Sequence, residues 1–117
     1  KSICMKSPTR DIRGLAFSLY GSGKLYTKMR EFEKAENDFN ETLRIHNEMC
    51  ERLGIGMVYY KFGGLYALKG DYQRSKQMLE TGLEYSKQYN IAIVIFKCNY
   101  LLYEIIIAPG GSRLLSG

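Results

Sequence analysis

The sequence predicts an all-α protein in which antiparallel helix–turn–helix repeats stack as an α–α superhelix. Three observations predict it. Residues 19–43, LYGSGKLYTKMREFEKAENDFNETL, and residues 59–83, YYKFGGLYALKGDYQRSKQMLETGL, carry one pattern at a constant offset of 40. In that register Gly23 falls on Gly63, Leu25 on Leu65, Tyr26 on Tyr66, Phe32 on Tyr72 and Leu43 on Leu83. Within each copy the apolar and small residues return every three or four positions, which puts them on one helical face. Leu19, Gly23 and Tyr26 form one stripe, repeated by Tyr59, Gly63 and Tyr66; Phe32, Ala35, Phe39 and Leu43 form the facing stripe, repeated by Tyr72, Ser75, Leu79 and Leu83. The two prolines, Pro8 and Pro109, flank these segments and interrupt neither.

The elements follow in order. A first helix is predicted over about 10–29, with Thr9 or Asp11 as its N-cap. A second covers 31–50. A third covers 52–69 and stops at Gly70, a residue suited to a left-handed C-cap. Asp71 caps a fourth helix over 72–89, and Asn90 is the stop signal after it. A fifth covers 91–107 and ends before Pro109. It reads as the first half of a third repeat, because IGMVYYKFGGLY at 55–66 aligns with IAIVIFKCNYLL at 91–102. That register puts Asn99 opposite Gly63. Ile91–Phe96 is β-rich, and a strand is the minor alternative for it taken alone. A mid-helix glycine costs about 1 kcal/mol relative to alanine. Its use at both Gly23 and Gly63 implies a second helix passing close, with small Ala35 and Ser75 facing it. The expected organisation is an N-terminal extension over 1–9, the repeat domain over 10–107 and a flexible tail over 108–117.

The two copies resemble the tetratricopeptide repeat, a helix–turn–helix unit of about 34 residues. Leu19, Ser22-Gly23, Tyr26, Phe32, Ala35, Phe39 and Thr42-Leu43 carry the resemblance in the first copy. Tyr59, Phe62-Gly63, Tyr66, Gly70-Asp71-Tyr72, Ser75, Leu79 and Gly82-Leu83 carry it in the second. The resemblance covers about residues 14–107, two and a half repeats. It implies a solenoid that serves as a protein-interaction scaffold, with no catalytic activity and no cofactor. A second function it implies is a peptide-sensing regulatory piece of a larger signalling or transcription regulator.

Composition narrows the class. Hydrophobic residues make up 45% and charged residues 25%, which excludes a disordered tail. The longest apolar run, Ile91–Phe96, is too short to cross a bilayer, so no membrane insertion is expected. Cys4, Cys50 and Cys98 lack metal-ligand spacing and read as free thiols of a reducing, cytoplasmic compartment; no metal is expected. The incomplete third repeat implies a piece of a longer or processed protein.

No catalytic motif emerges. Gly21-Ser22-Gly23-Lys24 lacks the first glycine and the final Ser or Thr of a phosphate loop and lies within a helix pattern. His46, the single histidine, lies on a charged helix face without a Cys or Asp at triad spacing and is expected at the surface. The net charge of +5 is spread among acids with no run of five basic residues, so nucleic acid is not the expected partner.

The resemblance implies that the first helix of each repeat lines a concave groove. Phe17, Tyr20, Lys24 and Thr27 then face it, with Met57, Tyr60, Gly64 and Ala67 in the second repeat and Ile93, Phe96 and Tyr100 in the third. Lys28, Lys61 and Lys97 flank them. Of these, Phe17, Tyr20, Lys24, Lys28, Tyr60, Lys61, Lys97 and Tyr100 are the expected binding residues for a protein or peptide partner bearing carboxylates. Members of the family that clamp chaperone tails have Lys and Asn where this chain has Tyr20 and Lys24, so that function is not carried over. A homodimer through the apolar C-terminal helix is the expected assembly; the competing account is a monomer whose fifth helix folds back against helices three and four. Leu101, Leu102, Ile105, Ile106 and Ile107 form the dimer's candidate surface, and helices four and five are able to fuse across 86–91.

Overall fold

The computed structural model describes residues 9–107, and these form five α-helices. They are α1 (Arg10–Lys28), α2 (Phe32–Met49), α3 (Arg52–Lys69), α4 (Tyr72–Tyr89) and α5 (Ala92–Ile107). Each helix packs on the next, and α3 also touches α1 and α5. Two layers result, with α1, α3 and α5 in one and α2 and α4 in the other. The five predicted helices are all present, and the β-rich Ile91–Phe96 lies in helix from residue 92. The expected tail over 108–117, and the extension apart from Thr9, fall outside the described residues.

One turn, used four times, generates the stack. Arg30, Cys50, Gly70 and Asn90 adopt left-handed backbone at φ 64°, 55°, 87° and 58°. After each, an amide reaches back into the finished helix: Glu31 to the Tyr26 carbonyl, Glu51 to His46, Asp71 to Tyr66 and Ile91 to Ser86, at 2.9–3.0 Å. This two-bond motif satisfies carbonyls that a helix end would otherwise leave bare. The turn residues are spaced evenly, so every helix reverses direction after the same length. Only Gly70 adopts this conformation without steric cost; a residue with a Cβ pays on the order of 1 kcal/mol. Helix starts are capped more variably. Thr9 Oγ1 accepts from the Ile12 amide and Asp71 Oδ1 from the Arg74 amide, both at 3.2 Å.

The small residues are where the helices meet. A Cβ placed on Gly23 would lie 2.6 Å from the Phe39 ring, and one on Gly63 would fall within 3.0 Å of the Leu79 side chain. Phe39 and Leu79 are fully buried and stand 40 residues apart, like the glycines they cover. In the second repeat Ser75 Oγ also donates to the Gly63 carbonyl at 2.6 Å, where the first repeat has buried Ala35. Around these contacts Phe39, Val58, Phe62, Leu65 and Tyr66 form one cluster, and Leu79, Val94, Cys98, Leu101 and Ile105 form the next. Tyr20, Phe39, Phe62 and Tyr66 follow one another at centroid distances of 5.7–6.1 Å, tying α1 to α2 and α2 to α3.

Several expectations are corrected here. Helices α4 and α5 do not fuse: Asn90 turns the chain and α5 folds back on α4. Leu101 and Ile105 are therefore core, at 2% and 3% exposure, and not part of an outer apolar surface. Ile106 and Ile107 are exposed as expected, together with Ile93, Phe96, Tyr100 and Tyr103. Counted from its first residue, α5 has Phe96 and Tyr103 where α3 has Gly56 and Gly63, so two seats for a close-packed helix are filled with rings. Cys50 is disulfide-bonded, and buried Cys98 is free with its thiol pushed up to about 11 by burial. The free-thiol argument for a reducing compartment thus loses Cys50. No helix among the described residues is long and apolar enough to cross a membrane.

Candidate functional site

The face shared by α1, α3 and α5 gathers most of the residues singled out in the sequence. Tyr20 on α1 and Tyr60 on α3 are half-buried, with their rings packed on the two core clusters. Burial, with a smaller contribution from Tyr60, pushes the Tyr20 hydroxyl up to about 12, and burial raises that of Tyr60 as well. Both tyrosines are neutral platforms at physiological pH. Lys24 Nζ stands 5.1 Å from the Tyr20 centroid. Lys61 Nζ and Lys97 Nζ each stand 5.4 Å from the Tyr60 centroid, one from its own helix and one from α5. At such distances the ring quadrupole attracts the ammonium.

The four lysines of this face are crowded. Lys61 is held below the ordinary lysine range, first by burial and then by the charges of Lys24, Lys97 and Lys28. None of the four forms an ion pair with a carboxylate among the described residues, although Lys34, Lys69 and four carboxylates on α2 and its ends do pair. The result is a cationic strip over two tyrosines, built from helices that are distant in sequence and adjacent in space.

The remaining predicted residues are placed differently. Phe17 is 80% exposed one turn before Tyr20, at the mouth of a pocket of about 370 Å³ between α1, α2 and α3. Tyr100 stacks on Phe96 of α5, with centroids 6.1 Å apart. Of the further groove residues, Ala67 is buried in the core, and the Thr27 hydroxyl donates within α1 to the Gly23 carbonyl at 2.8 Å. Gly64 leaves open space, since nothing lies within 4 Å of where its Cβ would be.

The pocket itself was not foreseen. Phe17, Tyr20, His46, Met49, Leu53 and Met57 contribute to its walls, and the Arg13–Glu51 ion pair at 3.1 Å closes one side. His46 corrects the surface expectation. Its ring lies against Gly54, 2.7 Å from where a Cβ would be, and its buried Nδ1 finds no hydrogen-bond partner among the described residues. Burial holds its pKa below the usual value, with Glu51 opposing weakly, so the wall is neutral at pH 7. The available signal in the sequence was Gly54 eight residues after His46, across a helix turn. No group of three or more His, Cys, Asp or Glu able to hold a metal occurs among the described residues.

This architecture of hairpins, with glycine seats where the helices meet, defines a helical-repeat fold. Residues 58–89, which span most of α3 and all of α4, match the family model described as tetratricopeptide repeat. The five consecutive helices are consistent with repeats of that kind on either side of the matched one. No curated protein and no solved structure matches the chain.

Proposed function

We propose that this chain is a protein-interaction scaffold whose α1/α3/α5 face receives a peptide or protein partner. The tetratricopeptide repeat supports the general role, because such repeats typically act as non-enzymatic scaffolds for protein–protein contacts. The observation that carries the finer reading is the pair of half-buried tyrosines under Lys24, Lys61 and Lys97, with Lys28 beside them, none with a carboxylate partner among the described residues. A folded chain that gathers like charges over aromatic rings is complementary to an acidic surface, and rigid aromatic platforms are typical anchors of an interface.

The test is a double replacement, Tyr20→Ala with Tyr60→Ala, measured against a partner captured from the native source and purified. Affinity is expected to fall by more than about 1 kcal/mol, the scale of an interface anchor. Helicity by circular dichroism should persist. Unchanged affinity in a folded double variant would reject this face as the partner surface.

A further inference from the structure

We propose that the pocket and the lysine cluster are two halves of one linear site. Its occupant is an extended acidic segment with one large apolar side chain placed about two to three residues from its carboxylates. The proposal rests on the α1/α3/α5 face being the partner surface, and adds what that partner must look like.

Tyr20 joins the two halves. Its ring lines the pocket, and the same ring holds Lys24 at 5.1 Å. The strip continues on α3 and α5 at Tyr60, whose ring carries Lys61 and Lys97. The pocket, at about 370 Å³, is at the small end of ligand sites, which run from about 300 to 1,000 Å³. Phe17, Met49, Leu53 and Met57 make it apolar, and methionine adapts to varied side-chain shapes. Its ionisable groups do not offer a free charge: Arg13 and Glu51 pair with each other, and His46 is neutral. The pocket therefore selects against charge, while the adjoining strip demands negative charge.

The spacing follows from helix geometry. Lys61 is four residues beyond Met57 on α3, and Lys24 is seven beyond Phe17 on α1. At a rise of about 1.5 Å per residue the halves are about 6–10 Å apart. Extended chain covers that distance in about two to three residues at about 3.3 Å each. Gly64, one turn past Tyr60, has no side chain to obstruct a ligand backbone there.

Fluorescence polarisation on the intact chain with labelled synthetic peptides tests this. One probe carries a Leu anchor and a Glu triplet two residues on; others replace Leu with Ser, replace Glu with Gln, or move the triplet far from the anchor. A single-stranded RNA oligonucleotide is titrated in parallel. The first probe should bind, and each altered probe should bind about tenfold or more weakly, the loss of an anchor. Phe17→Ser, at a position exposed enough to leave the fold intact, should weaken the Leu probe and leave the Ser probe unchanged. Lys61→Gln with Lys97→Gln should weaken both and flatten the salt dependence. Equal binding of the Leu and Ser probes, or no binding of the first probe, overturns the two-part site while the partner-surface reading stands. Tighter binding of RNA than of every peptide overturns it in favour of a nucleic-acid strip. Peptide binding indifferent to Tyr20→Ala with Tyr60→Ala removes the partner surface itself.

Discussion

Two adjacent glycines of α3 should respond differently to alanine. At Gly64 an added Cβ meets nothing within 4 Å. Removing a mid-helix glycine there should stabilise by about 0.5–1 kcal/mol, because the unfolded chain loses freedom and the helix loses none. At Gly63 the same propensity gain applies, but the Cβ falls within 3.0 Å of the Leu79 side chain. Leu79 is fully buried and cannot swing into solvent. Nor can α4 simply retreat, since Ser75 Oγ is held on the Gly63 carbonyl at 2.6 Å. Overpacking of this kind costs about 1–3 kcal/mol. Gly63→Ala should therefore be destabilising or neutral, and the two neighbours should differ by about 1–3 kcal/mol. Urea unfolding is the assay. With a slope of about 1–3 kcal/mol per molar, the midpoints should separate by roughly 1 M while the slopes stay equal. Gly21 and Gly23 form a second matched pair on α1, open at Gly21 and against the Phe39 ring at Gly23. If Gly63→Ala stabilises as much as Gly64→Ala, the glycine seats do not set the helix spacing and the account of the repeat is wrong.

The other predictions are shorter. Arg30→Gly should raise stability by about 0.5–1 kcal/mol in the same urea assay, because Arg30 holds left-handed backbone at φ 64°; no gain would mean the turn is not strained. Tyr20 titrates near 10 when unfolded and near 12 when folded, so the folded chain keeps its proton longer. The stability this provides is complete below pH 10 and is lost as pH rises toward 12; Tyr20→Phe should flatten that loss in alkaline melts. His46 is depressed by burial, so its stabilisation is present above its ordinary value of 6.5 and fades as pH falls below it; an acid limb unchanged in His46→Gln would contradict this. Pairing of two copies through Phe96, Tyr103, Ile106 and Ile107 of α5 should give a dimer mass by light scattering at micromolar concentration, reverting on Tyr103→Lys. A wild-type monomer mass rejects it.

The repeat was legible because both members of each essential contact recur at one offset. Gly23 with Phe39 and Gly63 with Leu79 are the same event, and a single sequence shows it without any relative for comparison. The turns were legible only where their residue type carries the conformation. Gly70 and Asn90 announced left-handed backbone, whereas Arg30 and Cys50 adopt it under the force of the packed helices on either side. Helix α5 was misread in part for a related reason. Its apolar residues surround it, so periodicity did not say which side was core. Val94, Cys98, Leu101 and Ile105 became core once Asn90 turned the chain back onto α4.

The site shows the same division. The family resemblance, which puts the first helix of each repeat on one face, named Tyr20, Lys24, Tyr60 and Lys61. Their mutual effect is a property of the stack: Lys61 is lowered first by burial and then by Lys24, Lys97 and Lys28, which lie on two other helices. The linear sequence dilutes these charges among acids, so that the chain reads as a mildly basic surface. Folding sorts them, because Arg44 pairs with Glu41 and Glu48 at i,i+3 and i,i+4 on α2, the layer that contains no Tyr20 or Tyr60. What remains on the inner layer is a net positive strip that continues from a neutral pocket. That separation is the physical ground for expecting a partner with both an apolar anchor and acidic residues: an apolar segment alone would leave the lysines crowded, and an anion alone would leave the pocket open.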